Sequence, residues 1–225
     1  MSLHLERQVD QIKRRILALG AMVEEAVQSA ITAIEHRDPD LAEDVLINDH
    51  KVDLAEVDIE EECLHTLALY HPVALDLRYV IAALKINNEL ERIGDLAVNI
   101  SQQAIYLAQC PRIERIPFDL HGMTRTVRWM LGRSLDALVN VDADLAEQVK
   151  VRDEEVDEIH AGMYRCVEQA IRKDPELVQT YIYLLNVSRN LERIADHAVN
   201  IAEDVIYTAK GDITRHGRTK SLSEH

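Results

Sequence analysis

Apolar residues recur at alternating spacings of three and four along the first segment of the chain. The series comprises Val9, Ile12, Ile16, Leu19, Val23, Ala26, Ala30 and Ala33. This spacing is the heptad seam of a helix that packs in a left-handed bundle. The pattern therefore predicts a long amphipathic helix that ends near Arg37.

Helix start signals divide the rest of the chain. Asp38-Pro39 combines a side chain that caps free N–H groups with a proline that suits the first helical position. His71-Pro72 and Asp174-Pro175 have a similar form, and Asp142 is a cap without proline. Together with the apolar periodicity, these signals predict helices over 3–36, 39–70, 72–109, 119–141, 143–173 and 175–209.

The two halves of the chain repeat each other. LERIGDLAVNI at 90–100 returns as LERIADHAVNI at 191–201, and DHKVD at 49–53 is echoed by DEEVD at 153–157. Duplication is the simplest explanation, and it pairs the second and third helices with the fifth and sixth. We therefore predict an all-α fold, a tandem repeat of two three-helix bundles with six long helices.

Two prolines, Pro111 and Pro117, mark the boundary between the repeats. We predict a first repeat over 1–110, a linker over 111–118 and a second repeat over 119–210. The polar tail, 211–225, has no apolar period, so we expect it to be disordered.

Composition agrees with a helical protein and narrows its partners. Glycine and proline are scarce and aromatic residues make up only 4% of the 225 residues, which disfavours strands. The net charge of −15 disfavours nucleic-acid binding, because such proteins neutralise phosphates with Lys and Arg. We expect no signal peptide and no apolar run long enough to span a membrane. Three cysteines without a CxxC pair suggest reduced thiols and a cytoplasmic location.

Four pairs of carboxylates stand four positions apart, so each pair lies on one face of its helix. Like charges at this spacing cost about 0.2–0.5 kcal/mol per exposed pair, and a cation would relieve that cost. If the helices of each repeat pack antiparallel, two pairs converge on an all-oxygen site suited to Mg, Mn, Ca or Fe. The predicted ligands are Asp49 and Asp53, Glu91 and Asp95, Asp153 and Asp157, and Glu192 and Asp196.

A solvated acidic surface is the alternative interpretation. Residues 38–62 contain eleven acids, and Lys51 is the only base among them. The pair on the third helix nevertheless recurs on the sixth together with its neighbouring Asn and Arg. Spacing alone leaves metal binding and a solvated surface equally open. Neighbours that could orient the ligands are Asn99, Asn200, Arg92 and Arg193.

Three segments resemble the PhoU family of bacterial phosphate-transport regulators: PVALDLR at 72–78, LERIGDLAVNI at 90–100 and LERIADHAVNI at 191–201. The resemblance extends over about residues 3–210. One departure is that PELVQTY at 175–181 stands where the first half has Asp76 and Arg78. The second half is therefore expected to keep the acidic pairs and to lose whatever Asp76 and Arg78 do.

The resemblance implies a non-enzymatic, metal-binding negative regulator of phosphate uptake and of phosphate-starvation signalling. It implies multinuclear metal clusters of Fe, Mn, Mg or Zn at the four acidic pairs. It also implies contacts with the ATPase subunit of the phosphate ABC transporter and with a sensor histidine kinase, and a homodimer. Such a protein is cytoplasmic, inserts no segment into the membrane and reaches the inner membrane through its partners.

Two enzymes compete with the regulatory hypothesis. An all-α, Mg-dependent nucleotide pyrophosphohydrolase would use helical acids such as Glu60-Glu61-Glu62, but the chain has no Gly-rich phosphate loop. A ferritin-like di-iron oxidase needs Glu-x-x-His on two helices. Glu62-Cys63-Leu64-His65 supplies one such motif, and the second half has no equivalent.

Overall fold

A computed structural model describes residues 3–211 as a bundle of long helices. The described residues contain no β-strand, so the all-α prediction is confirmed. The predicted tail lies outside the described residues from position 212 onward. The helices are α1 (Leu3–His36), α2 (Pro39–Tyr70), α3 (Ala74–Gln109), α4 (Leu120–Asn140), α5 (Ala143–Lys173) and α6 (Val178–Lys210).

Two aspartates start the second helix of each repeat in the same way. Asp38 Oδ1 accepts hydrogen bonds from two backbone N–H groups of α2, each at 3.1 Å. Asp142 Oδ1 accepts the equivalent pair in α5, each at 3.0 Å. These bonds satisfy N–H groups that the first turn of a helix leaves unpaired. The prediction that Asp38 and Asp142 cap the starts of these helices is therefore confirmed.

The proline signals placed the third helix of each repeat slightly too early. Val73 is extended, with φ −127° and ψ 160°, so α3 begins at Ala74 and not at Pro72. In the second repeat, Pro175–Leu177 forms a 3₁₀ turn and α6 begins only at Val178. Proline fixes its own φ but does not require that the following residues be α-helical.

Equivalent positions of the two repeats are buried together. Five core residues of α2 match five of α5 at a constant offset of 104 positions: Ala42 and Ala146, Val45 and Val149, Val52 and Val156, Ile59 and Met163, and Cys63 and Val167. The repeat is therefore structural as well as sequential. At this offset Cys63 corresponds to the buried Val167. Cys166, one position earlier, is only partly buried.

The third helices of the two repeats meet in the middle of the molecule. α3 packs against α1, α2 and α6, while α6 packs against α3, α4 and α5. The buried residues of all six helices form one continuous hydrophobic cluster. Polar contacts also cross this interface, including Lys85 Nζ to Asp204 Oδ1 at 3.2 Å. The segment 110–119 that joins the repeats is non-helical, and the domain limits themselves stay a prediction.

Helix α1 is an exception to the expectation that the sequence holds no apolar run long enough to span a membrane. By length and apolar content alone it could cross a membrane. Its apolar stripe, however, lies in the core, where Ile12, Ile16, Leu19 and Val23 are at most 1% exposed. These properties are those of a buried core helix.

Prediction for the end of α4: Val141 has the left-handed φ of 52°, as does its equivalent Arg37 with φ 54°. The left-handed region is costly for a β-branched residue and free for glycine, the residue that ends α6 at Gly211. We expect Val141→Gly to raise the free energy of unfolding by about 1 kcal/mol in urea denaturation. Val141→Ala keeps a Cβ atom and should gain little. A less stable glycine variant would contradict this account.

Candidate metal sites

Helices α2 and α3 bring the first two acidic pairs face to face. Burial raises the pKa of Asp49, and the charges of Asp53 and Asp95 raise it further. Burial also raises the pKa of Glu91, to which Asp95 adds most among the neighbouring carboxylates. Charges on both helices thus act on one another. We call Asp49, Asp53, Glu91 and Asp95 the first quartet.

Helices α5 and α6 assemble the equivalent second quartet of Asp153, Asp157, Glu192 and Asp196. Burial, followed by the charges of the other three acids, raises the pKa of Asp153 to about 6. Partial loss of hydration and carboxylate neighbours raise the pKa of Glu192 and of Asp196 as well. Charges on α5 and α6 therefore act on one another as those on α2 and α3 do, and the metal ligands themselves stay a prediction.

Close approach of the backbones positions the first quartet. A Cβ atom placed on Gly94 of α3 would lie 3.2 Å from Val52 Cγ1 and 3.7 Å from Asp49 Oδ1 of α2. Val52 is buried, so the apolar seam sets how near the two helices come. Asp49 is consequently partly buried beside α3, while Asp53, one turn further along, is exposed.

The second quartet has the same layering. Asp153 and Glu192 are partly buried, while Asp157 and Asp196 are exposed. Val156 is fully buried between the two acids of α5. Each quartet therefore has an inner pair beside the core and an outer pair open to solvent. Solvent can reach the outer acids, so an ion could enter from outside the bundle.

One position next to the quartets differs between the repeats. Glu56 adds negative charge beside Glu91, whereas the equivalent residue of α5 is His160, which lowers the pKa of Glu192 and Asp196. The Nδ1 atom of His160 is buried, and no hydrogen-bond partner for it occurs in residues 3–211. The second quartet therefore has an imidazole as its charged neighbour where the first has a carboxylate. Sequence analysis missed His160, although its offset of 104 from Glu56 was a usable signal.

Residues proposed to orient the ligands have varied surroundings. Arg92 Nε lies 3.5 Å from Glu91 Oε2, and the charge of Arg193 lowers the pKa of Glu192 and Asp196. Asn99 is exposed. Asn200 Nδ2 donates to Glu89 Oε2 of α3 at 3.0 Å. This hydrogen bond joins the two repeats and does not orient a carboxylate of the second quartet.

The same Glu89 oxygen lies 2.6 Å from His197 Nδ1. His197 directly follows Asp196 but extends toward α3, as expected for a residue turned about 100° along the helix. It is therefore a contact between repeats. Asn200 shares this acceptor, so both side chains contact α3. The charge of His197 also lowers the pKa of the adjacent Asp196.

The carboxylates do not close on a single point. Within the described part of the chain, no group of three or more His, Cys, Asp or Glu side chains is arranged to hold a metal ion directly. Mutual repulsion spreads like charges apart when nothing lies between them. The donor chemistry nevertheless fits a hard or borderline cation.

The di-iron motif of the oxidase hypothesis is not assembled. Glu62 Oε2 forms an ion pair with Arg15 Nε of α1 at 2.9 Å. His65 is exposed on the surface of α2. The two residues therefore do not converge with other acids on an interior site of the kind that ferritin-like proteins use.

Comparisons with known proteins agree across the whole chain. The family model of the PhoU domain matches residues 16–104 and again 120–205. The phosphate-specific transport system accessory protein PhoU homolog of Aquifex aeolicus is 35% identical, over 98% of this chain and 99% of that protein. The protein of the same description in Pseudomonas aeruginosa is 34% identical, over 100% of this chain and 93% of its own.

Solved structures show the same fold. The crystal structure of PhoU from Pseudomonas aeruginosa superposes with a TM-score of 0.89 at 34% identity, covering 92% of this chain and 99% of that one. The phosphate transport system regulatory protein PhoU from Streptococcus pneumoniae gives a TM-score of 0.84 at 27% identity, covering 93% and 98%. The double match of the family model agrees with the tandem repeat of helices described above.

Prediction for the metal-free protein: the raised pKa of Asp153 means that the folded state binds a proton more tightly than the unfolded chain. Stability should therefore fall as pH rises from about 4, the ordinary aspartate pKa, to about 6, and the loss is complete above that range. Asp153→Asn should stabilise chelator-treated protein at pH 7 by about 1 kcal/mol after solvent screening, and should not do so near pH 4.

Urea unfolding at the two pH values measures this effect. Glu154→Gln is the matched control, because the neighbouring side chain is exposed and its removal should change stability little. A loss of stability in Asp153→Asn at pH 7 without metal would show that the carboxylate is not under repulsion.

Proposed function

The chain belongs to the PhoU family, and we propose that it is a metal-binding, non-enzymatic regulator of phosphate uptake. The observation that carries the proposal is similarity over the full chain to accessory proteins of phosphate-specific transport systems. The Escherichia coli protein of that description is 33% identical over 93% of this chain. An accessory protein acts on a transporter and has no need of chemistry of its own.

The two quartets are the proposed metal sites. Asp49 and Asp53 would approach an ion from α2, and Glu91 and Asp95 would approach it from α3. The second quartet would do the same between α5 and α6. Bound cations would supply positive charge where these carboxylates repel one another. Because such ions bind the folded state preferentially, their binding free energy would add to the stability of each helix pair.

The two sites differ in the metals they suit. The first quartet offers oxygen donors only, which favours Mg, Mn or Fe. His160 gives the second quartet access to an imidazole nitrogen, which favours Fe, Mn or Zn. Several carboxylates in each quartet could bridge neighbouring ions, as expected of a multinuclear cluster.

The regulatory action is proposed to run through protein contacts. When phosphate is plentiful, the protein would contact the ATPase subunit of the phosphate ABC transporter and the sensor histidine kinase, and it would damp the starvation response. It would work as a cytoplasmic homodimer that reaches the inner membrane through these partners. Loaded quartets would fix the helices that present the contact surface.

Prediction for regulation: the chain should restore repression of a phosphate-starvation promoter in a bacterium that lacks its own PhoU. Reporter output in high phosphate measures the effect. A variant with Asp95→Asn and Asp196→Asn removes one acid from each quartet and should lose much of this repression. Glu154→Gln, a change of similar chemistry at an exposed acid that belongs to neither quartet, should repress like the wild type.

Two results would count against the proposal. A wild-type chain that accumulates in the cell without repressing the promoter would contradict the regulatory role. Full repression by the double variant, with its metal lost, would remove the quartets from regulation and leave the protein contacts as the whole mechanism.

A further inference from the structure

The outer surface of α2 carries an exposed apolar stripe. Ile47, Leu54, Val57 and Leu64 each expose between 47 and 66% of their surface. They occupy four of the six coiled-coil seam positions between 47 and 64, and the other two are the exposed residues His50 and Glu61. Single exposed apolar residues are common, but four on one face of one helix indicate an interaction surface. We call these four residues the α2 stripe.

The α2 stripe lies on the side of the helix opposite the core. The buried positions of α2 include Val45, Val52 and Ile59, which pack inward against the rest of the first repeat. At 100° per residue, the stripe points about 170° away from these positions. The stripe therefore lies outside the hydrophobic core of the described chain.

Helix α5 provides an internal comparison for the stripe. It matches α2 at every core position named above, so the fold of the repeat is the same. Its outer surface differs, because three of the four equivalents are charged or small. The residues equivalent to Ile47, Leu54, Val57 and Leu64 are Val151, Glu158, Ala161 and Glu168. The repeat fold does not require an apolar stripe, so α2 carries it for another reason.

Carboxylates border the α2 stripe on both sides. Asp53 and Glu60 are exposed on the side toward α3, and Asp44 and Asp58 are exposed on the side toward α1. Two bases compensate these acids in part on the α1 side: Lys51 is exposed between Asp44 and Asp58, and Arg15 Nη1 lies 3.7 Å from Asp58 Oδ2. The surface thus combines mostly apolar seam positions with flanks in which acids outnumber bases, a pattern that suits a heterodimeric coiled coil.

The charges decide which occupant the surface suits. A second copy of α2 would place acids against acids on both flanks, which disfavours pairing. A helix with Lys or Arg at its flanking positions would meet opposite charge on each side while burying its own apolar seam. We propose that the α2 stripe is a docking site for a basic amphipathic helix of a protein partner.

This inference extends the proposed function, because it specifies the kind of segment that a regulated partner would present. It requires no metal. In an acidic protein with a net charge of −15, it also predicts recognition by charge pattern and apolar contact together. Either feature alone would give weaker and less selective binding.

A synthetic peptide tests the docking site directly. The probe is a labelled helix of about three heptads with Leu at the seam and Lys at the flanks. Fluorescence anisotropy with purified full-length protein should show saturable binding. Leu54→Ser with Leu64→Ser keeps the charge of α2 and should weaken binding by at least roughly tenfold. Val151→Ser on α5 is the matched control and should bind like the wild type.

Thermal unfolding checks that the double variant keeps its fold, as expected for two exposed positions. A twin peptide with Glu at the flanks should not bind. Equal binding of the basic peptide by the double variant would reduce the effect to charge alone and overturn the proposal. A wild-type dimer that the double variant converts to monomer would also overturn it, since the occupant would then be a second copy. Because the assay uses only protein and peptide, its failure would leave the reporter result standing.

Discussion

The apolar seam that packs α2 against α3 and α5 against α6 is the constraint on which the rest of this structure depends, because it sets the positions of the carboxylates. The apolar seam of α2 and α3, with Val52 buried between them, holds Asp49 close to Asp95 regardless of the electrostatic cost. The same packing around Val156 raises the pKa of Asp153 to about 6. Hydrophobic burial is the larger free-energy term, so it can maintain a charge arrangement that is unfavourable by itself. A cation is the simplest species that turns this cost into stability.

The duplication separates what the fold needs from what function adds. Core positions of α2 and α5 coincide, as do the aspartate caps Asp38 and Asp142. Differences therefore point to specialised roles. Glu56 in the first repeat corresponds to His160 in the second, and the apolar outer surface of α2 corresponds to a more charged surface on α5. These two differences carry the proposals that the quartets suit different metals and that α2 alone is a docking helix.

Sequence analysis found the features that depend on local rules. Helix starts at Asp38 and Asp142 follow from capping, and the quartets follow from a spacing of four repeated in both halves. It failed where a contact joins distant segments. The bond from Asn200 to Glu89 spans both repeats. The left-handed φ of Val141 is likewise unexpected for a β-branched residue.

The most direct test of the account is the metal content of protein purified without chelator or affinity metal. We expect Fe, Mn or Zn bound to the wild type, and we expect most of it to be lost when Asp95→Ala and Asp196→Ala remove one acid from each quartet. Circular dichroism of the same samples would confirm that the variant is folded. A wild-type protein that is folded, active in regulation and free of metal would contradict the account and make the quartets a solvated acidic surface.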